Sequence, residues 1–307
     1  HSPEQSNVTS YAAMTVAIVT LETFSGMWIN AFIVSVICMS WIKRKTLDSN
    51  EKILLALGCS RFWFLCISWV YSFLALIYPN YLYVHPIFPL LASARSFFSC
   101  SNLWFSASLC VFYCIKIANF RNSFFIYLKV KIDNIVPWLL LGSVLFSLVF
   151  GTISYNIMDK ALSNNLNFTS QGRILKASFR IDQQFLPYYF IIGFGHAASF
   201  TAVILSALLL LFSLWRHKHN MQTNSVKDLS MDAHIKAMKS ILSFFIMYSI
   251  NFISLILTLI YAMKNENDTL FLIYLIRYTF PGLHSLVLIF SNPKLENRLR
   301  GILPCVK

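Results

Sequence analysis

The run Phe185-Leu-Pro-Tyr-Tyr-Phe-Ile-Ile-Gly-Phe-Gly-His196-Ala-Ala-Ser-Phe-Thr-Ala-Val-Ile-Leu-Ser-Ala-Leu-Leu-Leu-Leu-Phe-Ser-Leu-Trp215 holds no Asp, Glu, Lys or Arg, and Arg216-His-Lys-His219 follows it at once. A helix crossing a bilayer core needs roughly 20 mostly apolar residues. This run exceeds that length and stops at a basic cluster, which marks a cytoplasmic end. Six other segments reach the same length: Tyr11–Trp41, Ile53–Tyr78, Phe88–Ile117, Ile132–Asn156, Ile235–Met263 and Leu270–Ser291. The expected fold is all-α, a seven-transmembrane helix bundle forming a single membrane domain over residues 1–307, with no internal repeat and no separate soluble unit.

Composition agrees with that expectation. The chain is 57% apolar and only 12% charged, with a mean hydropathy of +0.62, whereas soluble domains carry about 25% charged residues. The 28 Phe, 14 Tyr and 7 Trp suit lipid-facing surfaces and interfacial belts. A net charge of +13 raises the question of a nucleic-acid partner, but the basic residues sit in short connections between apolar runs. The positive-inside rule accounts for them, and no nucleic-acid partner is expected. No cleavable signal sequence is expected either, because His1 to Thr9 is polar without a basic region. Of the seven cysteines, six lie inside apolar runs, so neither a disulfide framework nor a metal site is expected, and no cofactor. Cys305, in the tail, reads as a free thiol or a lipidation site.

The connections orient the bundle. Lys43-Arg44-Lys45, Arg121 with Lys129 and Lys131, Arg216 to His219 with Lys227, and Lys294, Arg298 and Arg300 share one side. That side is expected to be cytoplasmic, which places the N-terminus outside and the C-terminus inside. Three N-glycosylation sequons, beginning at Asn7, Asn167 and Asn267, all fall on the expected outer side. Pro137, Pro187 and Pro281 fall within or near the ends of apolar runs, with Pro281-Gly282 the expected bend.

The third span ends in Leu109-Cys-Val-Phe112-Tyr113-Cys-Ile-Lys116-Ile-Ala-Asn119-Phe120. Elsewhere stand Glu22 and Asn30, Leu54-Leu-Ala-Leu-Gly-Cys-Ser60-Arg61, Leu208 through Ser213 to Arg216-His217, His234-Ile-Lys-Ala237-Met-Lys239, Pro281-Gly-Leu-His284-Ser285 and Asn292-Pro-Lys294-Leu295. In this order the strings resemble the type 2 bitter taste receptors. There is no DRY triplet and no NPxxY, and the vomeronasal type 1 receptors, the nearest competing family, fit the strings ending in Phe120 and Leu295 less well. The resemblance implies a G-protein-coupled receptor, multi-pass in the plasma membrane. Small-molecule bitter agonists would enter from outside, and a heterotrimeric G protein of the gustducin or inhibitory type would dock on the cytoplasmic face. Two departures stand out: Arg95 occupies a position where the family often has Trp, and Ser99 one where it has Asn.

Intramembrane charges need partners, since each costs roughly 3 kcal/mol or more to insert. Within the implied architecture, Arg61 is expected to be a structural hub holding Asn30 and backbone carbonyls, with His284 and Ser285 as further structural polar residues. Glu22 and Arg277 are expected at similar depth, either paired or with Arg277 touching ligand. Arg95 is expected to line the pocket and favour acidic or acceptor-rich agonists, against the alternative of snorkelling to the outer interface. Helical spacing extends the expected pocket to Ser96, Ser99 and Cys100, to Tyr188, Ile192 and His196, to Tyr248, Asn251, Phe252 and Leu255, and to Tyr274 with Arg277. His196 alone reads as a satisfied core histidine or a ligand contact. The expected coupling rim comprises Tyr113, Lys116, Arg121, Lys129, Arg216, His217, His234, Lys236 and Lys239, a set that anionic membrane lipid headgroups would also attract. Catalytic fingerprints are absent from the sequence, so no enzyme is expected. A transporter is the rival class, disfavoured by the lack of inverted repeats.

Overall fold

The structure is a computed structural model that describes residues 3–118, 120, 122–168, 186–222, 242–257, 260 and 267–302. Within them, side chains are described except at 3–13, 79, 164–168, 186–189, 217–222, 267–274 and 277. The described elements are all helical: α1 (Pro3–Arg44), α2 (Ser49–Ile77), a single-turn α3 (Pro79–Leu82), α4 (Ile87–Ile117), α5 (Ser123–Phe168) and α6 (Leu186–Gln222). They continue with α7 (Leu242–Leu257), α8 (Asn267–Ser291) and α9 (Pro293–Ile302). Helices α1, α2, α4, α5 and α6 are long and apolar enough to cross a membrane, and α7 and the Tyr278–Ser291 part of α8 are shorter apolar helices. Together they form the seven-helix bundle.

Several helices outrun their apolar stretches. At 1.5 Å per residue, the 46 residues of α5 give about 69 Å, well over the roughly 30 Å of a hydrocarbon core. Hydropathy marks the lipid-embedded part alone, which is why α5 extends past residues 132–156 at both ends and carries Asn167 in its last turn rather than in a loop. The α7 apolar run expected over 235–263 is described from 242 to 257. The described part of the expected fifth and seventh spans lies in α6 and α8.

Local sequence sets the ends. Asp48 caps α2 in a reciprocal box with Glu51, which satisfies orphan N–H groups of the first turn. Lys45, at φ 56, closes α1 in the left-handed conformation typical of a residue just past a helix. Asn292 accepts from the N–H groups of Lys294 (3.0 Å) and Leu295 (3.4 Å), and Pro293 sits at the first position of α9, where its missing N–H is harmless.

Helix α4 is the axis of the bundle. Its apolar window is 72% buried, against 28% for those of α1 and α5, and it packs on α2, α5 and α6. Helices α1 and α8 meet backbone to backbone: a Cβ on Gly282 would lie 3.2 Å from the Cα of Gly26. Small residues at such crossings let membrane helices approach closely. Gly282 therefore serves the α1–α8 contact.

Gly282→Val should overpack this crossing, because the atom it meets is backbone and cannot rotate away. A loss of about 1–3 kcal/mol is expected, read as a lower unfolding temperature of the purified protein. Gly301→Ala, which would meet nothing within 4 Å, should leave it unchanged.

Candidate ligand and coupling sites

At mid-depth the bundle is pinned by Arg61, which is fully buried. Its Nε donates to Asn102 Oδ1 at 2.9 Å, one terminal nitrogen to Ser285 Oγ at 2.8 Å, and the other to Ser106 Oγ at 3.2 Å. The latter nitrogen also meets His284 Nδ1. Arginine has no acceptor, so Nδ1 accepts, and the imidazole is neutral with its proton on Nε2. Ser285 then donates to Asn30 Oδ1 at 2.8 Å, and Asn30 donates to the Gly26 carbonyl at 2.8 Å. Arg61 holds side chains of α4 and α8 in place of the expected Asn30 and backbone carbonyls, and Asn30 joins through Ser285.

The residues expected to line the pocket divide between two flanks of α4. Ser96, Ser99, Cys100, Ile192 and His196 line one crevice with Leu103, Phe150 and Gly195, between α4, α5 and α6. His196 Nδ1–H donates to the Ile192 carbonyl at 2.8 Å, which leaves Nε2 as the ring's basic nitrogen. Arg95 is not on this crevice. Its guanidinium carbon lies 5.1 Å from the centroid of Tyr71 on α2 and 5.9 Å from that of Tyr278 on α8, distances at which a cation is attracted to the ring. Tyr278 in turn shares a 2.9 Å hydrogen bond with Ser72.

Four expected contacts sit on α7. Tyr248 is buried, donates to the Leu103 carbonyl at 2.8 Å and packs with Phe244, Phe280 and His284, below the crevice rather than on it. Leu255 is buried, Asn251 is half-buried, and Phe252 stacks on Phe200 at 4.5 Å. Glu22 accepts from Thr279 Oγ1 at 3.0 Å, and its second oxygen is buried without a hydrogen-bond partner among the described residues. The side chains of Tyr188, Tyr274 and Arg277 lie outside the described residues, as do those at the sequon positions Asn7, Asn167 and Asn267.

On the face that bears the expected coupling rim, Tyr113 donates to Asn50 Oδ1 at 3.1 Å and Lys116 pairs with Asp133 at 2.6 Å. Lys129 donates to the Ala118 carbonyl at 3.2 Å. The two rim residues on α4 thus tie it to its neighbours, Tyr113 to α2 and Lys116 to α5. Arg216 is exposed near the end of α6. Arg121, His234, Lys236 and Lys239, and the side chain of His217, lie outside the described residues. The sequence reading missed Glu51, which is buried among Arg44, Lys294 and the Asp48 N–H. Its sequence signal was the Asp48-x-x-Glu51 capping pattern just ahead of an apolar run.

Residues 8–307 match the family model described as Taste receptor protein (TAS2R). The chain is 30% identical over 305 residues to Taste receptor type 2 member 2 of Homo sapiens, covering 96% of this chain and 97% of that protein. It is 34% identical over 304 residues to Taste receptor type 2 member 40 of Gallus gallus, covering 95% of each. A third relative, Taste receptor type 2 member 41 of Rattus norvegicus, is 30% identical over 297 residues, covering 94% of each.

Ser285→Ala would strip a partner from both Arg61 and Asn30. Leaving buried polar groups unpaired costs about 1–3 kcal/mol each, so the variant should unfold at a clearly lower temperature in detergent. Thr15→Ala removes a buried hydroxyl with no hydrogen-bond partner among the described residues and should change little in the same melt.

Proposed function

The chain belongs to the taste receptor type 2 family, and on that premise we propose that it is a bitter taste receptor: a multi-pass membrane protein that binds small-molecule agonists within the helix bundle and activates a heterotrimeric G protein. The observation that carries this reading is the family match across residues 8–307, which spans every helix of the bundle. We propose further that the basic connections face the cytosol and the N-terminus faces outward, supported by the charge asymmetry of the loops. The G protein would be of the gustducin or inhibitory type and would dock where α4, α6 and α7 end. Anionic lipid headgroups would share the basic rim.

The agonist site we propose is the outer half of the bundle. The α4–α5–α6 crevice offers an apolar wall with two serine hydroxyls, a thiol and an imidazole, a pattern suited to small ligands of varied shape. Arg95 lies on the other flank of α4, between Tyr71 and Tyr278. An agonist bearing a carboxylate or sulfonate would draw the guanidinium from its rings by a charge-assisted hydrogen bond. Binding shifts the population toward a conformation in which α7 moves outward and opens a groove for the G protein.

A calcium-release screen of chemically diverse bitter compounds, in cells carrying a promiscuous G protein, should return agonists. Purified protein should accelerate GTP exchange by the heterotrimer. Solute or ion flux in liposomes without nucleotide exchange would remove the receptor reading. For Arg95→Ala, acidic agonists should lose at least tenfold in potency while their neutral amides lose little. Equal losses for both would end the role of charge.

A further inference from the structure

Glu51 is a carboxylate that neither the agonist site nor the proposed docking groove uses. Its side chain is 8% exposed, and three separate segments converge on it. Arg44, the last residue of α1, donates from one terminal nitrogen to both carboxylate oxygens, at 2.5 and 2.6 Å. Lys294, in the first turn of α9, donates to the same carboxylate, and the Asp48 N–H donates at 3.1 Å. A carboxylate offers about four lone-pair sites, and these contacts occupy them. Exposed pairs contribute little, as with Glu296 and Arg300 within α9, where Arg300 is 74% exposed. The Glu51 cluster differs in its buried acceptor and in joining parts of the chain 243 residues apart.

Helix α9 depends on such anchors. Ten residues are too few for a stable isolated helix in water. Its apolar hold on the bundle includes buried Leu295 and partly buried Leu299, and Lys294 adds an ionic one. The same turn of α2 also faces the coupling side, since Asn50, next to Glu51, accepts from Tyr113 of α4. The tail helix and the end of α4 are thus fastened to adjacent residues of one turn.

We propose that Glu51 is a positioning residue for G-protein coupling: by holding Arg44 and Lys294 together it seats α9 on the α1–α2 corner and keeps the first turn of α2 in register with Tyr113. The coupling half of this proposal rests on the receptor reading above; the seating of α9 does not. Glu51→Gln keeps the shape but removes the charge that two cations share. Lys294→Gln breaks the α9 contact from a half-exposed position. Lys294→Arg keeps the cation at that position.

Each variant is compared with wild type in lipid nanodiscs by hydrogen exchange of the amides of residues 293–302. In cells at matched surface density, the readout is the calcium response to the bitter-compound panel. Glu51→Gln and Lys294→Gln should each speed α9 exchange at least tenfold. They should also halve the maximal response with half-maximal concentrations unchanged within twofold. Lys294→Arg should stay near wild type in both. Lys294→Gln carries the test where Glu51→Gln does not reach the surface. Unchanged α9 exchange overturns the proposal, as does a freed α9 with an intact maximal response, which would make Glu51 structural only. A wild type silent to the whole panel overturns the receptor reading and takes the coupling half with it. A responsive wild type with unaffected variants overturns this proposal alone.

Discussion

A guanidinium sealed inside a membrane bundle is the constraint around which the rest of this structure is arranged. Arg61 is fully buried, and its described partners are neutral: an amide oxygen, two hydroxyls and an imidazole nitrogen. With no carboxylate among them, the charge is held by oriented dipoles, so each acceptor must keep both its position and its direction. Asn102 and Ser106 fix the rotation of α4, and His284 and Ser285 fix that of α8. Ser285 extends the network to Asn30 on α1 at 2.8 Å. That last step needs α1 and α8 to lie close together, which the Gly26–Gly282 contact permits.

The rotation so imposed on α4 explains where Arg95 points. Successive helical residues turn by about 100°, so Arg95 falls on nearly the same stripe as Asn102 and Ser106, facing α2 and α8. Ser96, Cys100 and Leu103 lie roughly a quarter-turn or more round, facing α5 and α6. Neighbours at i+3 and i+4 are adjacent on a helix surface, and that spacing alone gathers Arg95 and Ser96 to Cys100 into one wall. A central helix touches neighbours on every side, however, and adjacency does not say which neighbour a residue faces. The hub settles that question, and it places the cation and the crevice on different flanks.

What was legible in the sequence follows the same physics. The apolar spans, the basic connections and the need of Arg61 for partners are each written locally, because lipid penalises charge and unpaired backbone residue by residue. The excess length of α5 was not legible, since hydropathy loses its signal where the helix leaves lipid. Nor were the partners of Glu51: the capping pattern with Asp48 is local, but Lys294 comes from the far end of the chain and no spacing rule connects them. His284 showed as a polar residue in an apolar run, while its role as an acceptor for Arg61 required the fold.

The hub also separates what is rigid from what is free to move. Helices α1, α2, α4 and α8 are joined by directional side-chain hydrogen bonds, where a small rotation forfeits a partner and leaves a buried polar atom exposed to hydrocarbon. Among the described residues, α7 meets this core differently. Phe244 packs edge-on against His284 with ring centroids 3.9 Å apart, Tyr248 lies 6.1 Å from Phe280, and Tyr248 donates to the Leu103 carbonyl. Aromatic packing tolerates sliding far better than a hydrogen-bonded guanidinium does, so displacing α7 sacrifices the Tyr248 bond and some ring contact while the four-helix core keeps its polar pairs. On the proposed mechanism, an agonist needs only a modest difference in affinity between two positions of α7 to shift the balance, and the core would supply the fixed frame against which that shift becomes a signal.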